Sequence, residues 1–306
     1  MGRAGSNERQ REFVKEYQRL CYRNGRHEVW QDFVWMAAAA ISNSVDKRFA
    51  EQREERYLAI IRKYTKEEQQ VFPHLFALIV AGMDEEPDQD FLGELYMQLE
   101  LGNDANGQFF TPYDLCKAMA DMTMDQELIS AQIGRQGYIS VNDCACGAGA
   151  TLVGAAMCLR DRGVNYQQQA IFVAQDIDYT VGLMCYIQLS LLGCAGYVHI
   201  GNTLTDPMTG HVLFGDGKDS TWYTPMFFSD LWHTRRAVEK AKAVLGLSEP
   251  PGRPVEAISS VVDKSPAQPE KTPHSPPQEP TEAKTEPTFI VSTRKKDAGQ
   301  LMLDLG

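Results

Sequence analysis

The chain has 306 residues, of which 43% are hydrophobic, and a formal net charge of −11 at pH 7. This length and apolar content suffice for one or two domains with a hydrophobic core. The longest apolar run is far too short to span a membrane and the amino terminus lacks the apolar region of a signal peptide, which predicts a cytoplasmic protein. Because dedicated DNA-binding proteins are usually basic, the negative net charge argues against this chain binding duplex DNA without a partner.

The seven cysteines are scattered through apolar segments, which is typical of reduced thiols in a protein core. Cys144 and Cys146 are too closely spaced for half of a zinc site, and no second Cys/His pair complements them. The sequence therefore predicts reduced thiols and no metal site.

The first third of the chain shows the hydrophobic spacing of helices, with aromatic residues on their inner faces. A further helix follows, with Thr111 as its cap and Pro112 in its first turn. The predicted helices cover residues 7–24, 27–43, 46–63, 66–82, 90–101 and 111–122.

The most informative stretch is residues 139–151. A β-branched run ends at Asp143, a turn containing Gly147 and Gly149 follows, and apolar residues then continue as a helix. Glycines in such a turn let backbone N–H groups approach a ligand. An acid closing the strand suits a cationic, hydroxylated ligand without phosphate, such as S-adenosylmethionine, better than a pyrophosphate. The alternative is that the turn serves only tight packing of the helix on the strand.

Two downstream segments strengthen the nucleoside interpretation. An apolar strand ends at Asp176, and in a βαβ nucleoside site an acid at this place accepts hydrogen bonds from ribose hydroxyls. A third strand over residues 196–200 is followed by Asn202, whose side chain could contact an adenine edge. The simpler alternatives are a solvated strand-end acid for Asp176 and a plain turn residue for Asn202.

The chain resembles a known family. Three segments, in order and in spacing, are similar to the modification subunit of type I restriction systems and, more broadly, to the adenine-N6 DNA methyltransferases of that type. They are residues 92–96, 107–112 and 143–149, and the resemblance covers residues 85–206.

The resemblance implies a set of cofactor-binding residues. The residues that would cradle S-adenosylmethionine are Phe109, Phe110, Thr111 and Pro112. Those that would form the cofactor loop are Asp143, Cys146, Gly147 and Gly149. Asp176 would hold the ribose, and Asn202 stands where the family often has an acid near the adenine.

The predicted fold is of the α/β class. We expect a helical amino-terminal region over residues 1–105 and a partial, Rossmann-like methyltransferase domain over 106–247. The latter has room for only three or four strands, so its sheet is truncated or takes its remaining edge from another source. A disordered tail is expected over 248–306.

The catalytic signature of the resembled family is missing. That signature, Asn/Asp-Pro-Pro-Tyr/Phe, accepts hydrogen bonds from the target amino group and stacks on the flipped base. The Pro-Pro pairs of this chain, at Pro250 and at Pro276, follow neither Asn nor Asp. Asp206-Pro207 and Thr224-Pro225 are incomplete substitutes, so the sequence identifies no catalytic residue.

The tail combines a proline-rich segment with a short apolar end. In residues 248–288, prolines are mixed with Glu, Lys, Ser and Thr. Such a segment cannot bury enough apolar area to fold, which predicts a disordered linker. The final residues resemble the peptide by which bacterial replication proteins dock on the sliding clamp, through Gln300, Leu301, Leu303 and Leu305. A chance leucine cluster is the alternative.

Two functions remain open from the sequence. The first is a DNA methyltransferase, dependent on S-adenosylmethionine and specific for adenine N6, in a restriction-modification system or mobile element. Its partners would be DNA and a specificity or methylase subunit. Its catalytic segment would either be a divergent one of its own or come from the partner. The second is a catalytically inactive accessory module that binds the cofactor or DNA and is docked through its tail.

Overall fold

The computed structural model describes residues 4–101, 110–246 and 300–302. Most of the described residues are helical, and one mixed sheet lies in the second half of the chain. The helices are α1 (Ala4–Leu20), α2 (Arg26–Val45), α3 (Ala50–Ile61), α4 (Lys66–Gln69), α5 (Val71–Glu85), α6 (Phe91–Gln98), α7 (Tyr113–Thr123), α8 (Gln126–Gln136), α9 (Ala150–Asp161), α10 (Tyr166–Gln169), α11 (Tyr179–Leu191) and α12 (Asp230–Val244).

The sheet has the strand order β4-β3-β2-β1-β5. Its strands are β1 (Ile139–Asp143), β2 (Ala170–Asp176), β3 (Ala195–Ile200), β4 (Thr221–Tyr223) and β5 (Gln300–Met302). The first three strands pair in parallel, whereas β4 is antiparallel to β3. Because helices connect the parallel strands, the carboxyl ends of β1, β2 and β3 meet at one edge, where α/β proteins bind ligands.

The amino-terminal helices pack through an aromatic cluster. Phe13 and Tyr17 of α1 are fully buried against Trp30 and Phe33 of α2, with ring centroids about 6 Å apart. The spacing of Phe13, Tyr17 and Leu20 places them on one face of α1, which is the pattern that predicts an amphipathic helix. This cluster belongs to the same hydrophobic core as the inner strands of the sheet.

Several predicted helix boundaries are wrong. The segment expected to be helical over 66–82, with a kink or start at Phe72-Pro73, is two helices: α4, which Thr65 and Glu68 begin with a capping box, and α5, which begins at Val71, one residue before the expected start. Pro73 lies in the first turn of α5, where its missing N–H costs nothing. Pro112 is the cap of α7 rather than part of its first turn, so Thr111 precedes the cap. Helix α8, between the cap Asp125 and left-handed Gly137, was not predicted.

The tail is described only at one short strand. Ser140–Asn142 of β1 pair in parallel with residues 300–302, so part of the proposed clamp-binding segment has backbone partners within this chain. The predicted linker over 248–288 and the residues Leu303 and Leu305 lie outside the described residues. None of the helices in the described residues has the length and apolar character needed to cross a bilayer.

Candidate functional site

The candidate site lies at the carboxyl ends of the three parallel strands. The turn after β1 carries Gly147 and Gly149, both with positive φ angles, at 53° and 98°. A Cβ atom at position 149 would lie 2.8 Å from Sγ of Cys185, so glycine is required there by both conformation and space. A Cβ at 147 would lie 3.5 Å from the Phe110 ring, in ordinary contact.

Asp176 joins the second strand to this turn. Its Oδ2 accepts a hydrogen bond of 2.8 Å from N–H of Gly147, and its Oδ1 accepts one of 2.9 Å from N–H of Asp178. Burial raises the pKa of the Asp176 carboxyl, although both backbone hydrogen bonds favour its ionised form. Because each carboxylate oxygen has two lone pairs, both oxygens retain capacity for hydroxyl donors.

Asp143 faces the interior of the turn. It is buried, and its carboxylate accepts hydrogen bonds from N–H of Ala145, at 3.0 Å, and from the Thr151 hydroxyl. Burial raises the pKa of its carboxyl. Asp143 therefore holds the turn against the start of α9, which is a positioning role for the predicted cofactor loop.

Cys146 is also an internal part of the turn. Its N–H donates to the carbonyl oxygen of Gln175 at 2.9 Å, and its buried thiol lies against Cys185. The pKa of this thiol is raised well above its ordinary value, mainly by hydrogen bonding with Cys185 and by burial. A protonated, buried thiol is a packing group rather than a nucleophile. All seven cysteines are free, as the sequence predicts.

The loop after β3 packs against the same turn. The Thr203 hydroxyl donates to the carbonyl oxygen of Cys144. The Oδ1 atom of Asn202 accepts from N–H of Leu204 at 2.9 Å, and its carbonyl oxygen accepts from N–H of Asp206. Asn202 thus organises its own turn, as the simpler interpretation of the sequence expects, while standing next to the predicted cofactor loop.

The aromatic segment before α7 covers the glycine turn. Phe110 is half-buried and its ring lies 5.3 Å from that of Tyr96 in α6, centroid to centroid. Thr111 is half-buried and Pro112 is exposed. The structure therefore places Phe110 next to Gly147, whereas Phe109 lies outside the described residues.

The exposed features of this edge are an acceptor and an apolar surface, which are compatible with the ribose and base of S-adenosylmethionine. Acidic residues line the edge, Asp176 accepts hydrogen bonds, and Ile177 beside it is 69% exposed and offers an apolar surface to a nucleobase. Hydroxyl donors such as those of a ribose are complementary to the Asp176 carboxylate.

Asp206, of the incomplete substitute Asp206-Pro207, and Tyr223, which precedes Thr224-Pro225, both form hydrogen bonds within the chain. Asp206 accepts from Nζ of Lys218 at 2.7 Å through Oδ1 and lies 3.1 Å from Nε2 of buried His199 through Oδ2. Tyr223 is 1% exposed, and its hydroxyl accepts from N–H of Gly217 at 2.9 Å. A buried ring cannot stack on a flipped base, and the carboxylate of Asp206 is paired with Lys218 and His199.

Sequence reasoning missed three polar residues around the turn. Buried Gln175 donates through Nε2 to the carbonyl oxygens of Gly201 and Asp206, at 3.2 and 2.8 Å, and thereby ties β2 to the loop after β3. Gln188 and Asp90, both buried, lie behind the glycine turn. The one available signal was the position of Gln188, a polar residue in the otherwise apolar α11.

Metal ligands are not clustered in the part of the chain that the structure describes: no group of three or more His, Cys, Asp or Glu side chains there could hold an ion.

The fold defines a mixed α/β protein, with the candidate site at the carboxyl ends of its parallel strands. The model of the N-6 DNA Methylase family matches residues 88–243, just over half of the chain. The chain therefore belongs to the N-6 DNA Methylase family. The matched range contains the glycine turn, Asp176 and Asn202.

Among solved structures, the chain is similar to the methyltransferase subunit of a type I restriction-modification system from Streptococcus thermophilus. The two share 18% sequence identity with a TM-score of 0.35, over 65% of this chain and 41% of that protein. The chain thus spans about two fifths of the length of that subunit. No curated protein matches the chain, and the comparisons lend no support to a sliding-clamp partner, which stays a prediction.

Proposed function

We propose that the chain binds S-adenosylmethionine and supplies the cofactor-binding part of an adenine-N6 DNA methyltransferase. The observation that carries this proposal is the hydrogen bond between Asp176 and N–H of Gly147. It brings together the strand-end acid and the glycine turn, the two features that a nucleoside site requires. Membership of the N-6 DNA Methylase family supports both the cofactor and the substrate.

The residues at the edge have distinct proposed roles. Asp176 accepts hydrogen bonds from the ribose hydroxyls, and Ile177 contacts the adenine of the cofactor. Phe110, packed between Tyr96 and the turn, covers the methionine end. The bound cofactor supplies an activated methyl group. Asp143 and Cys146 contribute by keeping the turn in shape from within.

The acceptors for the target amine come from another chain in this proposal. An exocyclic amine attacks a methyl group directly once it is held and oriented by hydrogen-bond acceptors. The 306 residues contain no Asn/Asp-Pro-Pro-Tyr/Phe signature. We therefore propose a methylase or specificity subunit as partner, with DNA held between the two chains.

The cofactor proposal is tested by titration calorimetry with S-adenosylmethionine. Asp176→Ala is expected to weaken binding by about 1.5–3 kcal/mol, the scale of hydrogen bonds to a charged group. Asp121→Asn is the matched control, because it alters an exposed acid of α7 that pairs with Arg162. Absence of binding by the unaltered chain at millimolar cofactor contradicts the proposal.

The catalytic proposal is tested by transfer of tritiated methyl groups to DNA. The purified chain alone is expected to transfer little or no label, and co-expression with its partner subunit is expected to give adenine methylation that Asp176→Ala abolishes. Strong transfer by the chain alone would show that an unrecognised segment of its own supplies the acceptors. Cofactor binding without methylation under either condition would favour the inactive accessory module.

A further inference from the structure

The glycine turn is held from behind by a buried carboxamide. Gln188, in α11, is fully buried among apolar neighbours. Its Nε2 donates to the carbonyl oxygen of Ala148 at 2.9 Å and to Oδ1 of Asp90 at 2.7 Å, and its Oε1 accepts from N–H of Leu92 at 3.2 Å. The carboxamide thus uses both donors and one acceptor, and it joins the glycine turn to the first turn of α6.

Asp90 fixes the direction of this carboxamide. It caps α6, where Oδ1 accepts from N–H of Gly93 at 3.0 Å as well as from Gln188. A Cβ at position 93 would come within 1.9 Å of Oδ2 of Asp90, so Gly93 leaves the room that the carboxylate occupies. Because a carboxylate is acceptor-only, it forces the donor end of the Gln188 amide toward itself and toward Ala148.

The carbonyl oxygen of Ala148 is a sensitive point at which to hold the turn. It belongs to the peptide unit that links Ala148 to Gly149, and this unit is planar and rigid. Glycines on both sides of Ala148 adopt positive φ angles. The N–H end of this peptide, on Gly149, donates to the carbonyl oxygen of Cys146 at 2.8 Å. Gln188 holds the opposite end of the same peptide, so the two hydrogen bonds together fix its direction in the turn.

We propose that Gln188 and Asp90 are positioning residues for the cofactor turn: Gln188 holds the peptide between Ala148 and Gly149, and Asp90 orients the Gln188 carboxamide. This inference rests on the proposed binding of S-adenosylmethionine. The same hydrogen bonds connect the start of α6 to the glycine turn, on which Phe110 packs. The two residues touch neither cofactor nor substrate, and they act through the backbone of the turn.

Four variants separate positioning from general stability. Gln188→Met keeps the volume of the side chain but removes its hydrogen bonds. Asp90→Ala removes the orienting acceptor, whereas Asp90→Asn keeps an oxygen that accepts from both Gly93 and Gln188. The matched control is Thr224→Val, since the Thr224 hydroxyl is equally buried, bonds to N–H of Gly196 and to the carbonyl oxygen of Cys194, and lies near the opposite end of β3.

The readouts are the Kd for S-adenosylmethionine, the Tm, and hydrogen exchange of the backbone amides in residues 143–153. Gln188→Met is expected to raise the Kd at least about tenfold and to speed exchange in the turn, and Asp90→Ala is expected to do the same more weakly. Asp90→Asn should restore both readouts to nearly the values of the unaltered chain. Thr224→Val should lower Tm while leaving the Kd and the turn amides nearly unchanged.

Three results would overturn the inference. One is a Kd for Gln188→Met within about twofold of the unaltered chain. Another is an equal rise of the Kd in Thr224→Val at equal loss of Tm, which would mean that stability alone sets affinity. The last is unchanged exchange of the turn amides in Gln188→Met. If the unaltered chain does not bind the cofactor, the proposed function fails, while exchange of the turn amides still decides whether Gln188 and Asp90 hold the turn.

Discussion

The guanidinium of Arg53, in α3, stacks on the ring of Trp222, in β4, at 4.3 Å from its centroid. Arg53 is 3% exposed, and its Nη1 donates to the hydroxyl of Ser42 at 2.8 Å. Carboxylates of Asp46 and Asp219 lie within 3.9 Å of the same guanidinium. A helix of the amino-terminal region is thus joined to the outermost antiparallel strand of the sheet through a buried cation.

Replacing this cation is expected to destabilise the protein. Arg53→Met should lower the free energy of unfolding by about 3 kcal/mol, because it leaves the buried Asp46 with one cation fewer and removes the stacking on Trp222. Arg56→Met is the control, since exposed Arg56 stacks on Trp35 at 4.5 Å and should cost less than about 1 kcal/mol. Urea denaturation measures both, and equal effects would contradict the role given to Arg53.

Gly149 should be less tolerant of a side chain than another glycine of similar conformation. Gly149→Ala introduces both a positive-φ strain and a collision with Cys185, whereas Gly163→Ala, at φ 75°, introduces only the strain because nothing lies near its Cβ position. The control should cost about 1 kcal/mol, and Gly149→Ala clearly more. Thermal unfolding compares the two. Equal Tm values would mean that the turn relaxes away from Cys185.

The buried carboxyl of Asp90 should make stability depend on pH in a defined direction. Burial raises the pKa of Asp90 to about 6, with the charge of Glu94 adding to the effect. Since this native pKa lies above the unfolded value near about 4, the contribution of Asp90 to stability is greatest below that value and is lost as pH rises through about 6. The free energy of unfolding of Asp90→Asn relative to the unaltered chain should therefore increase between about pH 4 and 7, by on the order of 2 kcal/mol.

The opposite sign is expected at Asp121, which serves as the control for this experiment. Hydrogen bonding to Arg162 lowers the pKa of Asp121, so Asp121→Asn should cost stability near neutral pH and lose its effect in acid. Urea denaturation of each variant and of the unaltered chain, at matched pH values, gives the differences. A difference for Asp90→Asn that does not vary with pH would show that this carboxyl is not desolvated.

The strand of residues 300–302 gives a test of the sliding-clamp prediction. Because its backbone pairs with β1, deletion of residues 300–306 should speed hydrogen exchange of the amides in Ser140–Asn142. Addition of bacterial sliding clamp to the full chain should have the same effect if the clamp takes this segment. A labelled peptide of residues 294–306 that shows no change in fluorescence anisotropy with clamp would remove that partner.

The site was predictable where its geometry is local. A β-branched strand, an acid and two glycines define the turn after β1, and the spacing to Asp176 is that of a crossover connection between parallel strands, here through α9 and α10. Contacts between distant segments were out of reach, since Asp90 and Gln188 are 98 residues apart and meet only when α6 packs on α11. The sequence also could not predict which way the Asp143 side chain points, because an acid at the end of a strand can face either a ligand or the protein interior.

The position of β1 links affinity to assembly. Among the described residues, β1 has one full-length neighbour, β2, and on its other side only the three-residue β5. The turn that we assign to the cofactor therefore follows a strand whose second side is barely supported. Any chain that adds a longer strand there would stiffen the turn and raise cofactor affinity, and by reciprocity the cofactor would raise affinity for that chain by the same factor. Cofactor concentration would then set how much of the complex forms.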